Sequence, residues 1–226
     1  MNAIDTIELK NIDPEDISDV LVKIGKSFGV ELRTDTFKKT RTFGDLCDIV
    51  SSMIDLEDAD DCTTQQAFYK IRKSIADIEC LGKNTITPNS DLETLFPRKG
   101  RRQAIFQVRK ESGLSLKILE PKKWIGILLF LGLLASLVEL FFNWKYGLPG
   151  LGTIIIGYQL ANWFGKEFRV KTAGEAAAMS ARENYLKSRR NRQTVNRQEI
   201  VEKIRELVSH DLGLDPSVLT REAVLF

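Results

Sequence analysis

Residues 124–142 read WIGILLFLGLLASLVELFF, nineteen residues whose single charge is Glu139. Wound as a helix, this stretch spans roughly 28 Å, the thickness of the hydrocarbon core of a bilayer. A second uncharged stretch runs from Tyr146 to Gly165, and the link Trp144-Lys145-Tyr146-Gly147-Leu148-Pro149-Gly150 leaves room only for a tight reversal. The pair reads as a two-helix transmembrane hairpin from Trp124 to Phe164. A buried hairpin in the core of a soluble protein is the competing reading, and cationic flanks on two uncharged stretches argue against it.

The flanks orient the hairpin. Arg98, Lys99, Arg101, Arg102, Arg109, Lys110, Lys117, Lys122 and Lys123 precede it and Lys166, Arg169 and Lys171 follow, whereas the reversal carries only Lys145. An excess of cations on the cytoplasmic side then puts both termini in the cytoplasm, and the expected location is the inner (plasma) membrane of a bacterial cell. Trp124, Trp144, Tyr146 and Trp163 fall near the helix ends, where amphipathic rings favour the interface. Arg98, Lys99, Arg101, Arg102, Lys122 and Lys123 are the expected headgroup contacts. Gly132 and Ser136 on one helix, and Gly157, Ala161 and Gly165 on the other, repeat at spacing four. Small residues at that spacing allow close backbone approach, within the hairpin or between two copies in a homodimer. Glu139, Gln159 and Asn162 are too few to line an ion pathway.

The 226 residues carry 33 basic and 31 acidic side chains, so net charge names no partner. The distribution is uneven: residues 1–60 hold 14 Asp/Glu against 7 Lys/Arg, and residues 98–123 hold 9 Lys/Arg against 2 Glu. An acidic head precedes a basic neck. Beside a membrane the neck suits anionic lipid better than nucleic acid, and no nucleic-acid partner is expected. The later run Arg182, Lys187, Arg189, Arg190, Arg192 and Arg197 reads as a solvated face. The early acids, among them Asp5 and Glu8, leave no apolar run of signal-peptide length. Cys47, Cys62 and Cys80 form no CxxC pair and read as free thiols in a reducing compartment. His210 is the only histidine and reads as a polar helix-end residue. Asp55, Glu57, Asp58, Asp60 and Asp61 lack the glycine and ligand spacing of an EF-hand and read as a solvated linker. No P-loop, GxGxxG or HExxH occurs, so neither an enzyme, a metal site nor a cofactor is expected.

Outside the hairpin the apolar residues recur at helical spacing. Ile17, Val20, Leu21, Ile24 and Phe28 make one stripe over 14–28, with Pro14 in the first turn and Gly29 as the stop. Thr42 is placed to cap a helix carrying Leu46, Ile49, Val50 and Met53, and Thr63 or Thr64 opens one carrying Phe68, Ile71, Ile75 and Ile78. Ile105 and Val108 mark a helix that Gly113 ends; Thr172–Ser188 is Ala-rich and helical, and Arg197–His210 turns Ile200, Val201, Ile204, Leu207 and Val208 inward. No strand pattern is visible, so the class is all-α. A weak internal repeat runs through these pieces: Phe28-Gly29-Val30-Glu31-Leu32 matches Ser112-Gly113-Leu114-Ser115-Leu116. Arg41-Thr42-Phe43-Gly44-Asp45 likewise matches Lys171-Thr172-Ala173-Gly174-Glu175. Val201, Ile204 and Val208 before Leu219-Thr220 echo Phe68, Ile71 and Ile75 before Ile86-Thr87.

At these residues the chain resembles the acyl carrier protein family, small helical bundles that carry acyl groups on a phosphopantetheine arm. QEIVEKIRELVSHDLGLDPSVLTREAVLF, 198–226, resembles the first half of such a domain; DPEDISDVLVKIGKSFGVEL, 13–32, and TRTFGDLCDIVSSMI, 40–54, resemble the second. The halves stand in reversed order, as in a circular permutation or in complementation between two chains. Residues from about Thr63 to Lys187 resemble a second unit in the usual order, with the hairpin inserted before its last helix. The family attaches its arm to a serine, but that position falls at Pro14 in one unit and near Arg98 in the other, and neither can accept it. Ser90 is the nearest look-alike, placed in the loop ahead of the corresponding helix, where capping is the plain reading.

The expected division is a second half-unit over 1–60, the first part of a carrier-like unit with the basic neck over 61–121, the hairpin over 122–165, a final helix and connector over 166–192, and a first half-unit over 193–226. The resemblance implies a membrane-anchored docking or scaffold module whose carrier-like units have lost the carrier's chemistry. Its cytoplasmic protein partner would belong to acyl or lipid metabolism, and Asp13, Glu15, Asp16 and Asp19 would be the docking acids. A functional carrier using Ser90, and a subunit of a membrane enzyme or transporter complex, are the alternatives.

Overall fold

The computed structural model describes residues 13–32 and 40–224; Asp5 and Glu8 of the acidic head and the polar link after Leu32 lie outside the described residues. The protein is mostly helical, and its buried apolar residues fall into two clusters.

The first cluster unites the two ends of the chain. Helix α1 (Pro14–Phe28) is capped by Asp13, whose carboxylate accepts the Glu15 N–H. Helix α2 (Phe43–Met53) opens on a capping box, in which Thr42 Oγ1 accepts the Asp45 N–H while the Asp45 carboxylate accepts the N–H groups of Arg41 and Thr42. Those two donors hold the Asp45 carboxyl below the usual carboxylate range. Helix α10 (Arg197–Leu212) comes from the far end of the sequence and lies against both. Its Ile200, Ile204, Leu207 and Val208 are at most 2 % exposed and meet Ile24, Phe28, Phe43 and Leu46 in one core. Each such side chain, fully buried, contributes about 1.5–3 kcal/mol. Cys47 sits among them, and burial pushes its thiol up to about 12.

The second cluster is built from α3 (Thr63–Ile78), the single turn α4 (Leu92–Leu95), α5 (Arg101–Ser112) and α8 (Ala173–Glu183). Ala173, Ala176, Ala177 and Ala181 of α8 are buried; their small side chains bring it close to α3, which supplies Phe68, Ile71 and Ile75.

The two units share local architecture. Thr172 and Glu175 repeat the capping box of Thr42 and Asp45. The Phe43 and Gly44 N–H groups donate to the Ala223 and Arg221 carbonyls, and the Ala173 and Gly174 N–H groups donate to the Ser90 and Pro88 carbonyls. A methyl group at Gly44 would lie 2.7 Å from Arg221 O and one at Gly174 2.9 Å from Pro88 O, so glycine is demanded twice for one reason. The 3-10 turns Lys83–Thr85 and Pro216–Val218 precede the buried Ile86 and Leu219 at the same sequence offset. The repeat is thus carried by backbone hydrogen bonds as well as by side-chain pattern.

The joint between the units is polar and ordered. Ser27 Oγ donates to the Arg182 carbonyl and accepts the Tyr185 N–H, and the Tyr185 ring stacks on Phe28 at 4.8 Å. Tyr185 opens the turn α9 (Tyr185–Ser188), and its hydroxyl bonds the Asn196 backbone. Arg189, read from sequence as solvated, is fully buried. Its guanidinium donates to the Ala59 and Asp61 carbonyls and to the Thr63 and Thr194 hydroxyls. The Asp55–Asp61 run is likewise not a loose linker: β1 (Glu57–Asp58) pairs in parallel with β4 (Thr194–Val195), and Asp58 accepts the Arg197 N–H. The expected absence of strands needs this adjustment, since two-residue strands are too short to leave an alternating pattern.

The second unit is interrupted. The chain leaves it through β2 (Leu119–Glu120) and returns through β3 (Glu167–Phe168), an antiparallel pair that forms a neck. Beyond the neck, α6 (Lys123–Phe142) and α7 (Trp144–Phe164) pack on each other as a hairpin. Helix α6 is long and apolar enough to cross a membrane and buries none of its residues in the protein. Among the described residues it alone meets that measure: α7 has the length, but Lys145, Gln159 and Asn162 lower its apolarity. The reversal also differs from expectation. Asn143 makes the turn, its side chain accepting the Lys145 N–H, and Trp144–Gly150 already belong to α7.

Candidate functional site

Two surfaces bring together the residues that sequence singled out. The first is the outer face of α1. Its inner stripe is fixed in the core through Ile17, Val20, Leu21 and Ile24, which at helical spacing leaves Asp13, Glu15, Asp16 and Asp19 all exposed. Glu15 and Asp16 stand in the first turn behind the Asp13 cap, where the amide ends of the helix favour negative charge, and Asp19 follows in the next turn. The face is therefore anionic and held rigidly by the packing beneath it.

The second surface lies at the root of the hairpin, where α5, the segment leading into β2 and the end of α7 converge. Arg102, Ile105, Phe106 and Arg109 recur along one side of α5 and line a cleft of about 400 Å³ with Leu116, Lys117, Leu119, Asn162, Trp163 and Gly165. The Arg102 guanidinium lies 5.4 Å from the centre of the Phe164 ring. Gly165 is buried against the neck, where a methyl group would come within 2.5 Å of the Glu120 carbonyl carbon.

The six expected headgroup contacts divide. Lys99, Lys122 and Lys123 are exposed. Arg98 is exposed but pairs with Glu167 at 2.7 Å across the neck, which holds the Glu167 carboxyl below its ordinary range. Arg101 is only 3 % exposed. It donates to the Phe96 and Lys166 carbonyls and stacks on Phe168, so it braces the neck and is turned away from any headgroup. Arg102 faces the cleft together with Arg109 and Lys117, two cations of the basic flank outside the six expected headgroup contacts. The i, i+3, i+4, i+7 spacing of Arg102, Ile105, Phe106 and Arg109 was the available signal.

Hairpin packing uses part of the small-residue set. A methyl group at Gly132 would meet Ile154 at 2.7 Å and one at Gly157 would meet Leu129 at 3.0 Å; Ser136 is the neighbour of Gly150. Gly147, not singled out by spacing, meets the backbone of the facing helix: a methyl there would lie 2.6 Å from the Leu140 Cα. Ala161 is partly covered, and Gly165 serves the neck.

Where the resemblance to acyl carriers would put the attachment serine, Pro14 begins α1 and Arg98 forms the neck ion pair. Ser90 Oγ accepts the Thr87 N–H and its carbonyl accepts the Ala173 N–H; Asp91, not Ser90, caps the turn that follows. The contacts of His210 are with Asp211 and Arg169. Among the described residues no group of His, Cys, Asp and Glu is arranged to hold a metal ion. No family model, curated protein or solved structure matches the chain.

Proposed function

We propose that the chain is a non-enzymatic, multi-pass protein of the bacterial inner membrane with both termini in the cytoplasm. Its two degenerate carrier-like units form a docking module for a cytoplasmic protein of acyl or lipid metabolism. The observation that carries the membrane part is the hairpin itself. A 20-residue apolar helix that packs one face on α7 and fully buries no residue would leave its other faces to water at about 25 cal/mol per Å², a cost a bilayer removes. Its ring placement agrees: Trp124 and Trp163 are exposed at the root, and Trp144 and Tyr146 at the tip, roughly the length of the helix away. The cations lie at the root, which orients that end to the cytoplasm.

The exposed acids of α1 support the docking part. A rigid anionic helix start favours a basic partner and speeds encounter through long-range attraction. The partner class rests on the resemblance to acyl carriers. The test is a charge-reversal series, Asp13→Lys, Glu15→Lys, Asp16→Lys and Asp19→Lys, made in the full chain and followed by cross-linking in membranes. Loss of a specific cross-linked cytoplasmic protein is expected, with weaker cross-linking of the wild type at high salt. An unchanged set of cross-linked partners throughout the series contradicts the docking reading.

A further inference from the structure

The cleft at the hairpin root combines features that the membrane reading does not by itself require. Helix α5 already has a core-facing side through Ile105 and Val108. Its neighbouring side, which carries Phe106, is apolar yet 64 % exposed, and is flanked one turn away on either hand by Arg102 and Arg109. Trp163 at the end of α7, 67 % exposed, and Lys117 complete the wall. Among the described residues no carboxylate pairs with Arg102, Arg109 or Lys117, whereas nearby Arg98 has Glu167. An exposed aromatic floor ringed by unpaired cations suits a ligand with a negative head and an apolar tail.

We propose that this cleft binds one anionic phospholipid of the bilayer in which the hairpin sits, which deepens and rests on the membrane reading above. The phosphate lies among Arg102, Arg109 and Lys117, and an acyl chain runs over Phe106 and Trp163 onto the hairpin. Two arguments select lipid over a soluble phosphate compound. The apolar part of the cleft is continuous with α7, whose exposed Leu160, Trp163 and Phe164 lead from it along the hairpin. The place is also fixed at interface depth, because the cleft lies level with the ring of Trp163 and the charged neck. A free phosphate would have no use for the aromatic floor. A guanidinium pair aimed at one phosphate binds more specifically than the diffuse attraction of a basic surface to a charged leaflet.

The full chain, purified in detergent, is mixed with phosphatidylglycerol or phosphatidylcholine of identical acyl chains, and retained lipid is counted by native mass spectrometry. One phosphatidylglycerol per chain is expected to survive conditions that strip phosphatidylcholine. The pair Arg109→Gln/Lys117→Gln lowers its retention by about thirtyfold, and independently Arg102→Gln lowers it by about fivefold. Phe106→Ser lowers retention of both lipids, and Lys73→Glu/Lys187→Glu, outside the cleft, leaves it as in the wild type. Equal retention of the two lipids, or full retention by the cationic variants with unchanged helical circular dichroism, overturns the site. Membranes washed at alkaline pH separate the two claims: a chain released into the wash overturns the membrane reading and the site with it. A chain that stays in the membrane but shows no lipid preference overturns the site alone.

Discussion

At the scale of single residues the helix ends carry the most information. Gly29, Gly113 and Gly213 all end helices in the left-handed conformation, with φ of 67°, 69° and 65°. The sequence announces them, since glycine adopts this conformation without penalty. The fourth such position, after α3, is held by Cys80 with φ of 53°, where an L-residue is strained. Cys80→Gly is therefore expected to stabilise the protein by about 1 kcal/mol, read as a raised midpoint of thermal unfolding. A lowered midpoint would show that the cysteine side chain contributes more than the backbone strain costs. The repeat makes the position recognisable, because Cys80 stands to α3 as Gly213 stands to α10. Arg189 was not legible in the same way. A run of arginines between helices looks solvated, and only the fold brings the carbonyls of Ala59 and Asp61 to one of them. The role of Arg101 is hidden for the same reason, since its acceptors Phe96 O and Lys166 O lie on opposite sides of the inserted hairpin in sequence.

At the scale of elements, helices were legible wherever an apolar stripe met a cap. Thr42 and Thr172 both open capping boxes, and the stripe of α1 enters the core as its period requires. The short strands were not legible, because pairing of two residues leaves no period to read. Pro149 and three nearby glycines resemble a loop, yet α7 begins at Trp144 and carries Pro149 inside it, at the cost of the helical hydrogen bond to the Lys145 carbonyl. Packing of the hairpin turns on Gly147. Gly147→Val drives a side chain into the Leu140 backbone and is expected to cost at least about 2 kcal/mol, seen as a lower unfolding temperature in detergent. Gly126→Val, in the same hairpin but with nothing within 4 Å of the added carbon, serves as the control and should leave that temperature nearly unchanged. Equal effects of the two would show that the helices do not pack through the Gly147 contact.

At the scale of the whole molecule the chain ends meet in one core, and the hairpin issues from the middle of the other unit. Both units thereby sit on the same side of the hairpin root, with the joint of Tyr185 and Arg189 between them. Sequence pattern was enough to suggest two related units, since the capping boxes and the glycine stops recur. Their mutual orientation was not accessible to it, because the joint is made of backbone carbonyls and of residues with no periodic signature. In the membrane reading proposed above, a hairpin that crosses fully would hold both units at one surface and present the acids of α1 to the cytoplasm. Site-directed labelling shows whether the hairpin crosses. In a chain with Cys47→Ala, Cys62→Ser and Cys80→Ser, single cysteines are introduced as Lys145→Cys at the hairpin tip or Lys187→Cys between the units. Spheroplasts of a bacterial host are then treated with a maleimide that cannot cross membranes. A crossing hairpin leaves the tip cysteine labelled in intact spheroplasts and the other only after lysis; labelling of both only after lysis, or of both before it, would contradict the crossing.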